Sequence, residues 1–253
     1  MNTLRKFLVM SVVMAFCNLC FACSDAVRGG TASRVTKVER KVSYFSKVEL
    51  FGAVDVVFVQ GKKASARIEG PSKYIKNVVI EQNGETLRVS QKGSMSFGND
   101  RNIIVYVTSP DLVAVKMKGS GDFTIQGNLD TDNLNVELVG SGDVELGSVV
   151  CDEATMRLVG SGDMDVKSIK TKTMNIALQG SGDFEANLVG VNHTNVNLMG
   201  SGDIDLNFNQ CGVADCMLRG SGDIELKGTL RSLKEQKSGS GDIDTSELIC
   251  GNN

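Results

Sequence analysis

The sequence predicts an all-β protein, a right-handed parallel β-helix or β-solenoid with coils of about 20 residues. A tetrapeptide repeat, an alternating hydrophobic pattern and the lack of room for helices support this fold class. Gly-Ser-Gly-Asp occurs seven times at a nearly constant interval, a register that chance matches would not keep. The copies begin at Gly119, Gly140, Gly160, Gly180, Gly200, Gly220 and Gly239.

Each repeat contains two short stretches with the two-residue periodicity of a strand and no 3.6-residue periodicity. One follows the motif, as in Ile204-Asp205-Leu206, and the other precedes the next motif, as in Met156-Arg157-Leu158. Coils stacked about 4.8 Å apart would pair each strand with its equivalents in the neighbouring coils. We therefore expect parallel sheets with ladders of apolar side chains inside.

Half of the 28 glycines belong to the motif. At a corner between strands the chain needs a positive φ or a close approach to the next coil, and glycine accommodates both. The Ser and Asp side chains are expected to accept hydrogen bonds from backbone amides of the same turn. The predicted structural turn residues are Gly119, Gly121, Gly140, Gly142, Gly160, Gly162, Gly180, Gly182, Gly200, Gly202, Gly220, Gly222, Gly239 and Gly241.

Residues 41–118 lack the motif but read as an irregular β portion, continuous as one domain with the seven coils of residues 119–253. Turn signals such as Asn83-Gly84 and Ser109-Pro110 separate its strands. The predicted strands are residues 48–50, 54–59, 67–69, 78–81, 86–90 and 103–108. Two arrangements remain open: irregular first coils that cap the solenoid, or a small antiparallel unit on which the first coil stacks.

Residues 1–22 are predicted to be a secretory signal peptide. Arg5 and Lys6 precede a ten-residue apolar segment, which is too short to span a bilayer. The next residues resemble a bacterial lipoprotein cleavage box, with Cys20 in place of the usual aliphatic residue, and make Cys23 the predicted lipid attachment site. Residues 23–40 would be a lipid-anchored linker to the outer membrane. Ordinary cleavage after Ala22, leaving Cys23 free, is the alternative.

The composition excludes several kinds of functional site. There is no Trp, there are three Tyr, and His193 is the single histidine, so catalysis or metal binding built on several imidazoles is excluded. No cofactor is expected. Nucleic acid is not an expected partner of an exported protein with a net charge of −3.

Charge is distributed unevenly along the chain. Residues 24–118 contain 16 Lys or Arg and 9 Asp or Glu, whereas residues 119–253 contain 9 and 21, giving net charges of +7 and −12. The motif Asp and an acidic residue two positions later recur in nearly every coil. These columns are either structural, bonded in turns and solvated on a strand face, or a row of weak Ca²⁺ sites. The calcium candidates are Asp163, Asp165, Asp183, Glu185, Asp203 and Asp205.

The cysteines of the repeats differ in position. Cys151, Cys211 and Cys250 each lie eight residues after a motif Asp, so they share one azimuth. They are two or three coils apart, about 10 and 14 Å, beyond the range of a disulfide. Cys216 replaces an inward apolar residue and is expected to act as a small core side chain. A Cys211–Cys216 disulfide remains open.

Three segments resemble one bacterial family: residues 44–61, the turn and strand of residues 83–89, and the Gly-Ser-Gly turns. The chain is similar to auto-transporter adhesins with a head GIN domain, a domain of unknown function found on envelope lipoproteins, mainly of Bacteroidetes. The resemblance covers about residues 40–250. It implies a β-helix similar in shape to pectate lyases and a role in adhesion, and it brings no catalytic residues.

The sequence thus favours a non-enzymatic cell-envelope lipoprotein whose elongated surface is adhesive or serves as a scaffold. A glycan or protein ligand at the cell surface and a second copy of the chain are the expected partners, besides the membrane. The alternative is a carbohydrate-active β-helix enzyme, with Asp163 and Asp165 as acid and base. Against it, these carboxylates recur on every coil, whereas an active site should interrupt the repeat.

Overall fold

The computed structural model describes residues 35–93 and 103–251 of the 253-residue chain. This part consists of strands and one short helix, and the predicted all-β solenoid is confirmed. It contains no helix long and apolar enough to cross a bilayer. The elements are β1 (Val35–Arg40), β2 (Lys47–Gly52), β3 (Asp55–Gln60), β4 (Ser65–Pro71), α1 (Ser72–Ile75), β5 (Val78–Asn83), β6 (Thr86–Gln91), β7 (Ile104–Ser109), β8 (Ala114–Gly119), β9 (Phe123–Asp130), β10 (Asn133–Gly140), β11 (Val144–Val150), β12 (Glu153–Gly160), β13 (Met164–Lys170), β14 (Thr173–Gly180), β15 (Phe184–Val189), β16 (His193–Gly200), β17 (Ile204–Gly220), β18 (Ile224–Gly239) and β19 (Ile243–Cys250).

Every coil contributes one strand before its turn and one after it. The strands before the turns pair in parallel and form sheet A, which contains β8, β10, β12, β14, β16 and the second parts of β17 and β18. The strands after the turns form sheet B, which contains β9, β11, β13, β15, the first parts of β17 and β18, and β19. Equivalent residues of successive coils pair directly, so residues at the same position of the repeat form a column along a sheet.

Where a repeat is longer or shorter than usual, the extra or missing residue lies after the turn, in sheet B. β9 has one residue more than β11, and the register between them shifts where Gly127 adopts a φ of +88°. The register between β17 and β18 shifts between Phe208 and Cys211, and β18 has one residue fewer at this point. The turns therefore stay aligned although the coils differ slightly in length.

A further coil precedes the seven repeats. β2 pairs with β8 and β3 pairs with β9, so the turn between β2 and β3 stacks on the first Gly-Ser-Gly turn. On their other side β2 and β3 pair in parallel with β6 and β7. The coil of β2 and β3 thus lies between β6–β7, which come later in the chain, and β8–β9.

Antiparallel strands close this end of the solenoid. β5 pairs with β6, β4 pairs with β7, and β1 pairs with β4. Both open arrangements are therefore present: irregular parallel coils, and antiparallel strands that cover them. The expected linker of residues 23–40 is wrong for residues 35–40, because β1 pairs with β4 along its whole length.

The core lies between the two sheets and consists of stacked apolar side chains. From β9 to β18 the column that follows the turns is fully buried, and its members differ in size and shape, so successive coils interlock. It contains Phe123, Val144, Met164, Phe184, Ile204 and Ile224. Burying each such side chain stabilises the fold by about 1.5–3 kcal/mol.

The turn glycines are required for two separate reasons. Gly180 has a φ of +141°, and the carbonyl of Gly160 beneath it accepts the N–H of Ser181 at 2.9 Å. Gly182 does not have a positive φ, but a Cβ there would lie 1.9 Å from the carbonyl oxygen of Gly162. A Cβ on Gly180 would also lie 2.0 Å from the carbonyl oxygen of Gly160, so the first glycine meets a conformational and a steric demand and the second a steric one.

The last strand of sheet A carries charges at inward positions. Glu235 pairs with Cys216 and Lys237 pairs with Leu218, both of which are core residues. Inward-pointing charges are a device by which natural proteins prevent edge strands from pairing with other chains. Sheet A therefore presents a polar edge at this end of the solenoid.

Candidate functional site

The motif aspartates form a ladder along the solenoid. In each coil the Asp Oδ1 accepts the backbone N–H of the Asp one coil further on: Asp143 accepts from Asp163 at 3.0 Å, and Asp163 accepts from Asp183 at 2.9 Å. The same bond recurs at 2.7–3.1 Å from Asp55 to Asp242. The bonds expected within each turn are thus replaced by bonds between coils, which couple every turn to its neighbours.

The ladder begins at a residue outside the seven Gly-Ser-Gly-Asp motifs. Asp55 Oδ1 accepts the N–H of Asp122 at 3.1 Å, and a Cβ on Gly119 would lie 2.2 Å from the carbonyl oxygen of Gly52. Residues 52–55 therefore occupy the place of a motif, with only its first and last residues retained. The weak signal in the sequence is the Gly-x-x-Asp spacing before an apolar strand.

A second acidic column runs along the outer face of sheet B. The strand registers align Glu145, Asp165, Glu185, Asp205, Glu225 and Asp244. Partial burial, followed by repulsion from neighbouring carboxylates, raises the pKa values of Glu145 and Asp205. Burial also raises the pKa of Asp143 in the adjacent ladder. Ionisation of these three carboxyl groups therefore opposes the folded state.

This arrangement predicts a gain in stability at mildly acidic pH. A carboxyl group whose pKa is raised by folding destabilises the fold above that pKa, and the penalty disappears as the pH falls. We expect the melting temperature to rise between pH 7 and about pH 5 at constant ionic strength. Below that range, carboxyl groups whose pKa is lowered in the fold become protonated and no longer stabilise it, as for Glu137 beside Lys116. This lowers the melting temperature again. Glu145→Gln should raise the melting temperature at pH 7 and make its rise on acidification smaller. A melting temperature that falls steadily from pH 7 downwards would contradict the prediction.

The calcium and acid–base candidates all lie within these two columns. Asp163, Asp183 and Asp203 each use one carboxylate oxygen in the ladder. Among the described residues no group of three or more His, Cys, Asp or Glu side chains is arranged to hold a metal ion. Asp163 and Asp165 occupy the same register positions as their equivalents in other coils, and the geometry favours the structural interpretation of both columns.

The cysteines of the described residues are free thiols. Cys211 and Cys216 are both buried and do not form the disulfide that the sequence left open. Burial raises the pKa of Cys216 to about 12, so this thiol stays protonated and unreactive at neutral pH. Cys250 is exposed at the last strand, two coils from Cys211 in the same column.

The outer face of sheet A contains a groove of about 380 Å³. Ala177 and Met217 contribute apolar side chains to its lining. Its polar lining is made largely of amides and contains Asn175, Asn195, Asn197, Gln236, Asp215 and Lys234. The groove has apolar side chains next to groups that both donate and accept hydrogen bonds.

Part of the groove is an asparagine ladder. Asn195 Nδ2 donates to Asn175 Oδ1 at 2.8 Å, which leaves each amide with further donors or acceptors for a ligand. A matching pair lies on sheet B, outside the groove, where Asn207 Nδ2 donates to Asn187 Oδ1 at 3.0 Å. The groove was not predicted from the sequence; the available signal was the recurrence of Asn at outward positions before the motifs.

Two predicted features of the chain start lie outside the described residues. These are the signal peptide of residues 1–22 and the lipid attachment site Cys23, together with residues 23–34 of the linker. Both remain predictions.

Comparisons with known proteins agree with the fold. Residues 44–211 match the family described as "Putative auto-transporter adhesin, head GIN domain". A solved structure described as a "putative adhesin" from Bacteroides fragilis is 25% identical, with a TM-score of 0.73, and the match covers 86% of this chain and 98% of that one. No curated protein matches the chain significantly.

Two further solved structures share the fold. A "putative lipid binding protein" from Parabacteroides distasonis is 21% identical with a TM-score of 0.65. A "putative adhesin" from the same species is 17% identical with a TM-score of 0.63. Both matches cover 86% of this chain and 98% of the other. At these identities the likeness shows the architecture alone.

Proposed function

This chain belongs to the auto-transporter adhesin, head GIN domain family, as its resemblance predicts, and we propose that it is a non-enzymatic adhesin of the cell envelope that binds a glycan on sheet A. The observation that carries the proposal is the groove of about 380 Å³ on the outer face of that sheet. The acylated Cys23 would hold the protein at the membrane.

The lining of the groove suits a polyhydroxylated ligand. Sugar rings present hydroxyl groups at their edges and CH groups on their faces. Amides such as Asn175 and Gln236 can donate to and accept from hydroxyls, and Ala177 and Met217 offer apolar contact. The chain has no Trp, so recognition would rely on hydrogen bonds more than on aromatic stacking. The hot spots typical of protein interfaces, Trp, Tyr and Arg, are not among the groove's lining residues within the described chain.

The repeated carboxylates support a binding role over catalysis. Hydrolysis of a glycosidic bond uses two carboxyl groups whose environments differ, one acidic and one basic. Asp163 and Asp165 instead recur in register with carboxylates of the neighbouring coils, and Asp163 is engaged with the backbone of Asp183. Neither lies in the lining of the groove.

A glycan array tests the proposal, using purified protein with Cys23→Ser to prevent acylation. The double variant Asn175→Ala and Asn195→Ala should weaken binding by about tenfold or more, through the loss of several hydrogen bonds to the ligand. The matched control is Asn187→Ala with Asn207→Ala, which removes the corresponding amide pair from sheet B and should bind normally. Equal binding by both variants, or binding only to immobilised proteins, would contradict a glycan site in the groove.

A further inference from the structure

One end of the solenoid carries a concentration of positive charge. We define the basic cap as residues 35–41 and 61–93, which comprise β1, β4, β5, β6, α1 and their connections. It contains 10 Lys or Arg and 4 Asp or Glu, a net charge of +6. Residues 119–253 have a net charge of −12. The molecule is thus electrically polar along the axis of its coils.

The strand order places the cap at the very end of the stack. β1 and β4 lie beyond β7 in sheet B, and β5 lies beyond β6 in sheet A. Helix α1 connects β4 to β5 and packs against β4 and β1, so it crosses this end of the solenoid. From β4 to β19 there are nine strand spacings, or about 43 Å.

Ion pairs neutralise only part of the cap. Lys37 and Arg67 both contact Glu69, at 2.9 and 2.8 Å, and Arg88 contacts Glu49 at 2.8 Å. The exposed lysines of the cap that have no carboxylate partner among the described residues include Lys62, Lys63, Lys73 and Lys76. Their amines are available to an external anionic surface.

The predicted anchor attaches at this same end. Eleven residues separate Cys23 from Val35, where β1 begins, and a fully extended chain of that length spans at most about 40 Å. A lipid on Cys23 would therefore keep the cap near the membrane, while the opposite end is free to point away. An anionic leaflet attracts the cap and repels the acidic coils, so both forces favour one orientation.

We propose that the basic cap docks on an anionic lipid surface and so holds the coil axis away from the membrane, with the groove on sheet A exposed. This inference rests on the proposed lipid anchor for its orientation. The affinity of the cap for lipid is a property of the folded protein, so it can be measured without the acyl chains.

Vesicle co-sedimentation tests the docking surface with the Cys23→Ser protein. We expect at least about tenfold more binding to phosphatidylcholine vesicles with 30% phosphatidylglycerol than to pure phosphatidylcholine, and loss of this binding in 0.5 M NaCl. Charge reversal of the four cap lysines to Glu should abolish it. Absence of a preference for anionic vesicles at low salt would overturn the proposal.

A matched variant separates a docking face from a general charge effect. Lys167, Lys170, Arg219 and Arg231 are exposed on the coils outside the groove, and their reversal to Glu changes the net charge by the same amount. This variant should keep vesicle binding; equal loss in both variants would overturn the proposal. Substitution of the cap lysines by Gln repeats the test with a smaller perturbation, and circular dichroism checks the fold. Labelling of cells with radioactive palmitate tests Cys23 acylation separately, so failure of the anchor and failure of the cap are distinguishable.

Discussion

Replacing Gly182 with alanine is expected to lower the free energy of unfolding by more than about 3 kcal/mol, a large part of the stability of an ordinary domain. The added Cβ would lie 1.9 Å from the carbonyl oxygen of Gly162, which is backbone and cannot rotate away. The coils would have to separate at the turn, and the ladder bond between Asp163 and Asp183 would lengthen. Urea denaturation followed by circular dichroism measures the loss.

Gly190 provides the control for this substitution. It has a φ of +62°, and a Cβ added there would have nothing within 4 Å. Gly190→Ala should therefore cost only the conformational strain of a left-handed residue, about 1 kcal/mol. Similar losses for the two variants would mean that the spacing of the coils is not limited by contact between glycines.

Replacing Asp143 with alanine is expected to lower the free energy of unfolding by about 1–3 kcal/mol. Its Oδ1 accepts the N–H of Asp163, and alanine leaves this amide without its acceptor between two packed coils. The same change removes a carboxylate whose pKa is raised mainly by burial, with repulsion from Asp122 and Asp163 adding to the rise. The loss of the hydrogen bond should change the stability more than the removal of the carboxylate's burial and repulsion does, because that carboxylate is still partly solvated.

Asp143→Asn distinguishes these two effects. The asparagine retains an oxygen in the position of Oδ1 but carries no charge, so the bond to Asp163 survives and the repulsion disappears. We expect its stability at pH 7 to equal or exceed that of the natural chain, measured by the same urea titration. If Asn and Ala destabilise equally, the negative charge itself is required, which would favour a bound cation and revive the calcium interpretation.

The periodic part of this protein could be predicted from local sequence. A motif that returns at a nearly constant interval, with strands on either side, fixes the coil length, the number of coils and the two-sheet arrangement. Strands β2 to β7 were also predicted, because each is short, alternating and bounded by a turn signal, whereas β8 and the short helix α1 were not among the predicted elements. β1 was missed, since its sequence Val-Thr-Lys-Val-Glu-Arg is charged and its partner β4 lies well beyond it in the chain.

The candidate sites followed the same division. The columns of carboxylates were predictable because residues with equal spacing from the motif must align. Their hydrogen bonds were not, because an Asp side chain can reach amides in its own turn or in the next coil, and the sequence is the same in both cases. The groove on sheet A was missed because it depends on the sizes of outward side chains in five successive coils, Ala177 among them.

The sequence by itself determined the repeat, the azimuth of each side chain and the uneven charge of the two halves. Tertiary structure decided that the coil of β6 and β7 stacks outside that of β2 and β3, that Asp55 begins the ladder, and that the basic residues gather at one end. The physical reason for this difference is that the length of a coil is set by residues that are close together in the chain. The order of stacking is set by which strand edges can pair, and those edges belong to segments far apart in the chain, as the pairing of Glu49 with Arg88 illustrates.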